Sequence, residues 1–455
     1  MKIKNSEKII QNGQTPLLKQ IRKEIMEVLE YSLSSVDPYE SVKSRFDTQQ
    51  VEIDGESIDC TDFSDIYLVG FGKASVGMAQ AVCDSLKVKE GVVVTNDPDN
   101  MVKCGNVDTI VGSHPIPDEN SVKGADLILN LVKKCGNDDL LLVLISGGGS
   151  ALLCKPRIDL KDLQVTTDYL LKSGANINEI NTIRKHLSLV KGGQLIKNVK
   201  SRVVSLIISD IIGDPIQFIA SGPTYPDSTT FNDAKKILDK YNLWVKIPKS
   251  VEDIIASGVN GSIPETPKND DLIFNKVHNV IVANNKIACD SAVQKAEELG
   301  YKTVFLTLHL EGEARDIGFY LIDKALNSTS INEKTMFISS GETTVTIKGT
   351  GKGGRNQEMV LSSVKHISDK KIVFTSFATD GIDGDSDAAG AIADSFTLKR
   401  AKKYDIDPDQ HLDNNDSYNF FKKIGDLLIT GSTGTNVMDI QLLVKLTQNY
   451  KPKSI

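Results

Sequence analysis

Short runs of β-branched and aliphatic residues that alternate with helix-length segments constrain this chain most. They are IYLVG at 66–70, GVVVT at 91–95, TIVGS at 109–113 and LLLVLIS at 140–146, and the pattern continues through VVSLIIS at 203–209. Strands that are apolar at consecutive positions need cover on both faces, which a parallel sheet between helices provides. An α/β fold follows. VHNVIVAN at 277–284, KTVFLT at 302–307, TMFISSGETTVTI at 335–347 and KIVFTSFATDG at 371–381 predict a second α/β segment. At 455 residues the chain exceeds what one core usually organises. The Pro-rich, polar stretch GSIPETPKNDD at 261–271 is the expected boundary, giving domains 1–262 and 263–455. Ahead of the first strand, Leu17, Ile21, Ile25, Val28 and Leu29 recur at helical spacing and predict an amphipathic helix over about 16–42.

A net charge of −7, with Lys and Arg scattered, supplies no basic field for a phosphate backbone, so nucleic acid is excluded as an expected partner. The first fourteen residues lack an apolar export core, and the longest aliphatic run, 140–145, is far too short to cross a bilayer. No membrane role and a cytoplasmic location are expected. The six cysteines stand apart with no C-x-x-C pair, which argues against a zinc site or disulfide framework. A homodimer is kept open.

The chemistry concentrates where strands hand over to loops. GFGKASVG at 70–77 places Gly72 and Lys73 between a strand and a helix, where glycine lets a phosphate approach the backbone and the helix start offers N–H donors. A tight turn or a nicotinamide-cofactor fingerprint with altered spacing are the alternatives for this loop. After the most hydrophobic strand comes Ser146, Gly147, Gly148, Gly149 and Ser150; three glycines in a row cost chain entropy and pack nothing, which favours a phosphate or carboxylate contact. Neither loop has the full G-x-x-x-x-G-K-S/T spacing. In NTIRKHLSLVKGG at 181–193, Arg184 and Lys191 lie seven apart, on one face of an expected helix, and suit an anionic substrate or simply a solvated face. Asp210 and Asp214 follow a buried strand, placed to hold Mg²⁺, accept a hydroxyl proton or form a turn. SGETTV at 340–345 contains Glu342. GKGGRNQE at 351–358 sets Gly354, Arg355 and Asn356 at a helix start, and the Arg fork suits a phosphate or carboxylate. Asp380, Asp383, Asp385 and Asp387 crowd one loop and would repel unless a cation or basic side chains intervene.

These blocks, VGFGKAS, LISGGGSAL, N-x-IRKHLS-x-VKGG, ISDIIGD, ASGPT, GETTV, GKGGRNQE, ATDGIDG and GTNVMD, in this order, resemble the glycerate 2-kinase family, whose C-terminal part is called the MOFRL domain. The resemblance spans about 16–444. It implies a Rossmann-like N-terminal domain, a smaller mixed α/β C-terminal domain, and an active-site cleft between them. It also implies ATP with Mg²⁺, and phosphorylation of glycerate at its 2-hydroxyl. Carried over by motif, Lys73 and Arg355 are the cleft cations, expected to face one another. Asp210 is the expected proton acceptor, and Asp210, Glu342 and Asp380 the expected metal carboxylates. Gly72, the 146–150 loop, Gly354 and Asn356 are expected on the nucleotide, and Arg184 and Lys191 on the substrate carboxylate. The main rival is an NAD(P)H-dependent hydroxypyruvate reductase, motivated by the 70–77 loop.

Overall fold

A computed structural model describes residues 2–53, 55–328 and 334–447, which form two compact units. One comprises Pro38–Val282, the other Met1–Asp37 with Ala283–Ile455.

In the Pro38–Val282 unit a small antiparallel sheet, β1 (Phe46–Asp47), β2 (Gln50–Ile53) and β3 (Glu56–Asp59), precedes the main one. The main sheet contains β4 (Ile66–Phe71), β5 (Glu90–Thr95), β6 (Val107–Val111), β7 (Leu140–Ile145), β8 (Arg202–Ile208) and β9 (Val277–Ala283), in spatial order β6-β5-β4-β7-β8-β9. The pairs from β6 through β8 are all parallel. Every residue of β4 and β7 is buried, as their unbroken apolar runs require. Val69, Phe71, Val143, Ile145 and Ile207 share one core with Ile128 and Leu131 of the helix Glu119–Val132. Full burial of each such side chain contributes roughly 1.5–3 kcal/mol. The chain winds outward from β4 through β5 to β6, then returns to the other side of β4 with β7. The β4/β7 boundary is thus the topological switch point, where loops diverge and leave a crevice beyond the strand ends. The two loops that emerge there are the first two glycine loops.

In the other unit the sheet order is β10 (Lys302–Leu310), β11 (Thr335–Gly341), β15 (Asp439–Lys445), β12 (Ile372–Ala378), β13 (Gly390–Asp394) and β14 (Leu427–Leu428). Only β10 and β11 run parallel; β15 lies antiparallel between β11 and β12. Its register sets Asp439 opposite both Gly341 and Ala378. The segments after β11 and β12 and the start of β15 therefore share one sheet end.

Three expectations need correction. The helix over 16–42 is two, Pro16–Ser35 and Pro38–Lys43, because Pro38 supplies no N–H to continue the first. The first 37 residues join the C-terminal unit: Arg22, fully buried, bonds Asp394 at 2.8 Å and Asp426 at 2.7 Å, and Ser32 donates to the Ala288 carbonyl at 2.6 Å. The Pro-rich stretch is no boundary either. Glu265 accepts from the Phe231 amide at 2.9 Å and Thr266 donates to Asp227 at 3.0 Å, so it is bound into its unit, and VHNVIVAN adds β9 to the first sheet.

Candidate functional site

Gly72, at the end of β4, has φ +126°, and a Cβ there would stand 2.2 Å from Ser146 Oγ. Only glycine tolerates both conditions. The two loops are stitched together: Lys73 N–H donates to the Gly147 carbonyl at 2.9 Å and Ala74 N–H to Ser146 Oγ at 3.1 Å. Gly148, at φ +81°, lies under the Lys73 stem, a Cβ there falling 3.2 Å from Lys73 Cγ and 3.1 Å from His114 Cδ2. Lys73 is exposed, and its ammonium has no partner among the described residues. A Cβ on Gly147 would sit 2.2 Å from Asp210 Oδ2, so the Asp210 carboxylate at the end of β8 lies against the same loop. Burial raises the Asp210 pKa, with its own backbone N–H and Lys73 opposing. Burial and Lys73 both lower that of His114.

The basic block reaches this loop from below. Its helix, Ile177–His186, stops before Lys191, so Arg184 and Lys191 do not share a helical face as expected. They converge anyway: Arg184 donates to the Ser150 carbonyl at 3.4 Å, and Lys191 to the carbonyls of Ser150 at 2.6 Å and Leu153 at 3.1 Å. Lys191 is only 2% exposed, and burial together with the Arg184 charge pushes its pKa down to about 7. It supports the loop from within rather than facing a substrate. Burial also lowers the Arg184 pKa, with Cys154 opposing. Neither cation has a carboxylate partner among the described residues, whereas neighbouring Lys185 has Asp227 at 3.3 Å and His186 has Glu265 at 3.3 Å. Half-buried Arg184 and buried Lys191 thus meet at the Ser150 carbonyl with no carboxylate counter-charge among the described residues, an arrangement that disfavours both charges.

Sequence reasoning missed a second support. Ser150 Oγ lies 2.8 Å from Ser221 Oγ, and Ser221 donates to Asn181 Oδ1 at 3.3 Å. Ala220 and Ser221 hold φ +50° and +63°, a left-handed pair that costs about 1–3 kcal/mol per residue and persists where surroundings impose it. The ASGP segment was the available signal. His114 carries no comparable signal in the sequence.

In the other unit Arg355 opens the helix Arg355–Ile367. Its Nε and one terminal nitrogen grip Asp439 at 2.5 and 2.9 Å, and that terminal nitrogen meets Glu342 at 2.7 Å. The bonds to Asp439 and the Glu342 charge outweigh burial and raise the Arg355 pKa. The helix start is not open to phosphate at Asn356. Asp383 accepts from the Asn356 and Gln357 amides at 3.0 and 2.8 Å, and the Asn356 side chain is spent on Asp383 and Ser376. Gly354 fits this cap, since a Cβ would fall 2.4 Å from Asp383. Neutral donors separate the acidic loop's carboxylates: Asp385 accepts from Gly353 at 3.1 Å, Asp387 from the Tyr418 hydroxyl at 2.7 Å, and Asp380 from Ile382 N–H at 3.0 Å, which leaves each of these three with further acceptor capacity. Burial raises the Asp383 pKa to about 6.

Residues 24–256 match the family described as a domain of unknown function (DUF4147), and 335–439 match the MOFRL family. A glycerate 2-kinase of Pyrococcus horikoshii is 42% identical over 422 residues, 91% of this chain and 94% of the relative. The chain belongs to the glycerate 2-kinase family. A D-glycerate 2-kinase of Thermotoga maritima is 39% identical over 92% of this chain and 97% of its own. The crystal structure of a Thermotoga maritima glycerate kinase superposes with TM-score 0.84 at 37% identity, covering 94% of this chain and all of that one. Family membership thus covers both units, and with it the two loops at the switch point and the Arg355 cluster. No helix among the described residues is long and apolar enough to cross a membrane.

Proposed function

We propose that this chain transfers the γ-phosphoryl group of ATP to the 2-hydroxyl of D-glycerate, forming 2-phosphoglycerate and ADP. The observation that carries this reading is the pair of glycine loops at the β4/β7 switch point, bearing the unpartnered Lys73 and backed by the uncompensated Arg184. Phosphoryl transfer needs positioning and charge neutralisation more than covalent chemistry. The 146–150 loop and Gly72 hold nucleotide phosphate, Lys73 neutralises the migrating group, and Arg355, itself paired with Asp439 and Glu342, offers that group the N–H donors of its free terminal nitrogen. Arg184 takes the glycerate carboxylate, and Asp210, its pKa raised, accepts the hydroxyl proton. A reductase would place a dinucleotide's pyrophosphate on the 70–77 loop alone, whereas here that loop is bonded to a second glycine loop at 146–150, which suits a chain of nucleotide phosphates.

Among the described residues no group of three or more His, Cys, Asp or Glu could hold a metal ion. A cation that arrives on nucleotide phosphates needs only one or two protein carboxylates. Glu342 and Asp380 are the carboxylates proposed for Mg²⁺, which when bound supplies charge neutralisation at the phosphoryl oxygens. All six cysteines are free, which suits the reducing cytoplasm proposed as its location.

Glycerate-dependent ADP formation in a coupled assay tests the reaction, and phosphorus NMR of the product tells 2-phosphoglycerate from 3-phosphoglycerate. Hydroxypyruvate-dependent loss of NADH absorbance without ADP formation would overturn the reading. Lys73→Ala should lose most turnover while remaining folded, and Arg355→Ala should lose most turnover at some cost in stability, because it leaves the buried Asp439 without its cation.

A further inference from the structure

Arg355 owes its orientation to a carboxylate that lies far from it in sequence. Asp439, at the start of β15, is 1% exposed and receives two parallel N–H···O bonds from the guanidinium, at 2.5 and 2.9 Å. The sheet register fixes that carboxylate, because Asp439 pairs with Gly341 on one side and Ala378 on the other. Ser340 Oγ donates to the Asp439 carbonyl at 2.7 Å and anchors the backbone further. Two bonds in one plane leave a guanidinium no rotation about its own axis, unlike a single contact. The remaining terminal nitrogen, Nη1, has no partner among the described residues, so its two N–H donors stay aimed in one direction.

We propose that Asp439 is the positioning residue for Arg355, holding the guanidinium so that Nη1 meets the transferred phosphoryl group. The proposal rests on the kinase reading above. Asp439 does not touch substrate; it acts through Arg355 alone. A misplacement of about 1 Å in such a group costs on the order of 100-fold in rate. Asp439→Asn keeps the shape but removes the charge and one acceptor, so kcat should fall roughly 10- to 100-fold with the KM for glycerate little changed.

The test is a double-mutant cycle on the full chain, reading kcat and KM for glycerate and ATP. In the Arg355→Ala background, Asp439→Asn should cost less than about twofold more, because the group it positions is already gone. Losses that multiply would mean an independent structural role and would overturn the proposal. So would wild-type kcat in Asp439→Asn alone. Wild-type turnover in Arg355→Ala would instead overturn the kinase role of Arg355, a separate result. Should Asp439→Asn fail to fold, chemical rescue of Arg355→Ala decides. Guanidinium, which matches the carboxylate with two bonds, should restore turnover saturably and methylammonium should not; equal rescue by both would sink the proposal.

Discussion

Lys191→Met separates what the buried lysine does for stability from what it does for the loop. In the folded protein its pKa is about 7, against the usual 10.5. A lysine with a depressed folded pKa binds fewer protons folded than unfolded across that interval, so its stability cost grows as pH falls from 10.5 toward 7 and levels off below. Linkage with those two values gives a cost larger by about 2 kcal/mol at pH 7 than at pH 9. Met matches the stem length and cannot titrate. It also loses the bonds to Ser150 and Leu153, about 1 kcal/mol each, but that loss is the same at both pH values and cancels in the comparison. The stability of Lys191→Met relative to wild type should therefore rise by about 2 kcal/mol from pH 9 to pH 7.

Urea unfolding reads this directly, because the single tryptophan, Trp244, lies in the same unit, packed beside the cluster of Phe231, Leu238 and Leu243. Its fluorescence reports that unit without interference from the other. The charged groups bearing on Lys191 are Arg184, which disfavours its charge, and Cys154, which favours it. A difference that stays constant with pH would refute the uncompensated-cation argument. Added glycerate should shrink the wild-type pH dependence, since a carboxylate at Arg184 relieves the repulsion.

Arg22→Met should destabilise the unit holding Asp394 and Asp426 by about 3–5 kcal/mol, because Arg400 is then the one cation left among the described residues to both buried carboxylates, beside neutral donors from Asn12 and Phe396; circular dichroism during urea unfolding checks this, and a loss under about 1 kcal/mol would contradict it. Asp210→Asn should lower kcat about 10²–10⁴-fold. In wild type, kcat/KM should fall as pH drops through the raised Asp210 pKa, above the ordinary carboxylate range, and that limb should vanish in the variant. Glu342→Gln leaves Arg355 paired with Asp439 only. It should raise the Mg²⁺ concentration needed for half-maximal rate and strengthen inhibition by inorganic phosphate; unchanged magnesium dependence would count against Glu342.

The alternation of apolar runs made the parallel sheet legible, because burial on both faces writes itself into consecutive positions such as 140–145. The three consecutive glycines at 147–149 were legible as a special loop, but the reason is close packing as well: a Cβ on Gly147, Gly148 or Gly149 would fall 2.2 Å from Asp210, 3.1 Å from His114 or 2.8 Å from Ala220. What the sequence concealed is pairing at long range. Nothing near Arg22 announces Asp394 and Asp426, so the opening helices could not be assigned to the C-terminal unit. The four aspartates at 380–387 read as mutual repulsion only while their donors, Gly353, Tyr418 and the helix start, were out of sight. Arg184 and Lys191 were paired through a helix that ends early. Their convergence on Ser150 comes from loop geometry, which spacing does not encode.

The cations of the two units are handled in opposite ways, and the contrast bears on their work. Arg184 and Lys191 have only backbone carbonyls among the described residues, so on the reading proposed above a carboxylate reaching Arg184 relieves its repulsion with Lys191 and offsets desolvation; that suits a substrate carboxylate whose charge is the same before and after reaction. Arg355 stands between Asp439 and Glu342, one positive charge against two negative. Such a cluster has no net attraction for a bare phosphate. It gains instead when negative charge is already matched by a cation on the nucleotide, or when charge shifts during transfer toward the one nitrogen left free. An interaction stronger in the transition state than in the ground state raises kcat rather than affinity. Arg355 should therefore show its value in turnover and Arg184 in KM, a division that follows from which carboxylates each was given.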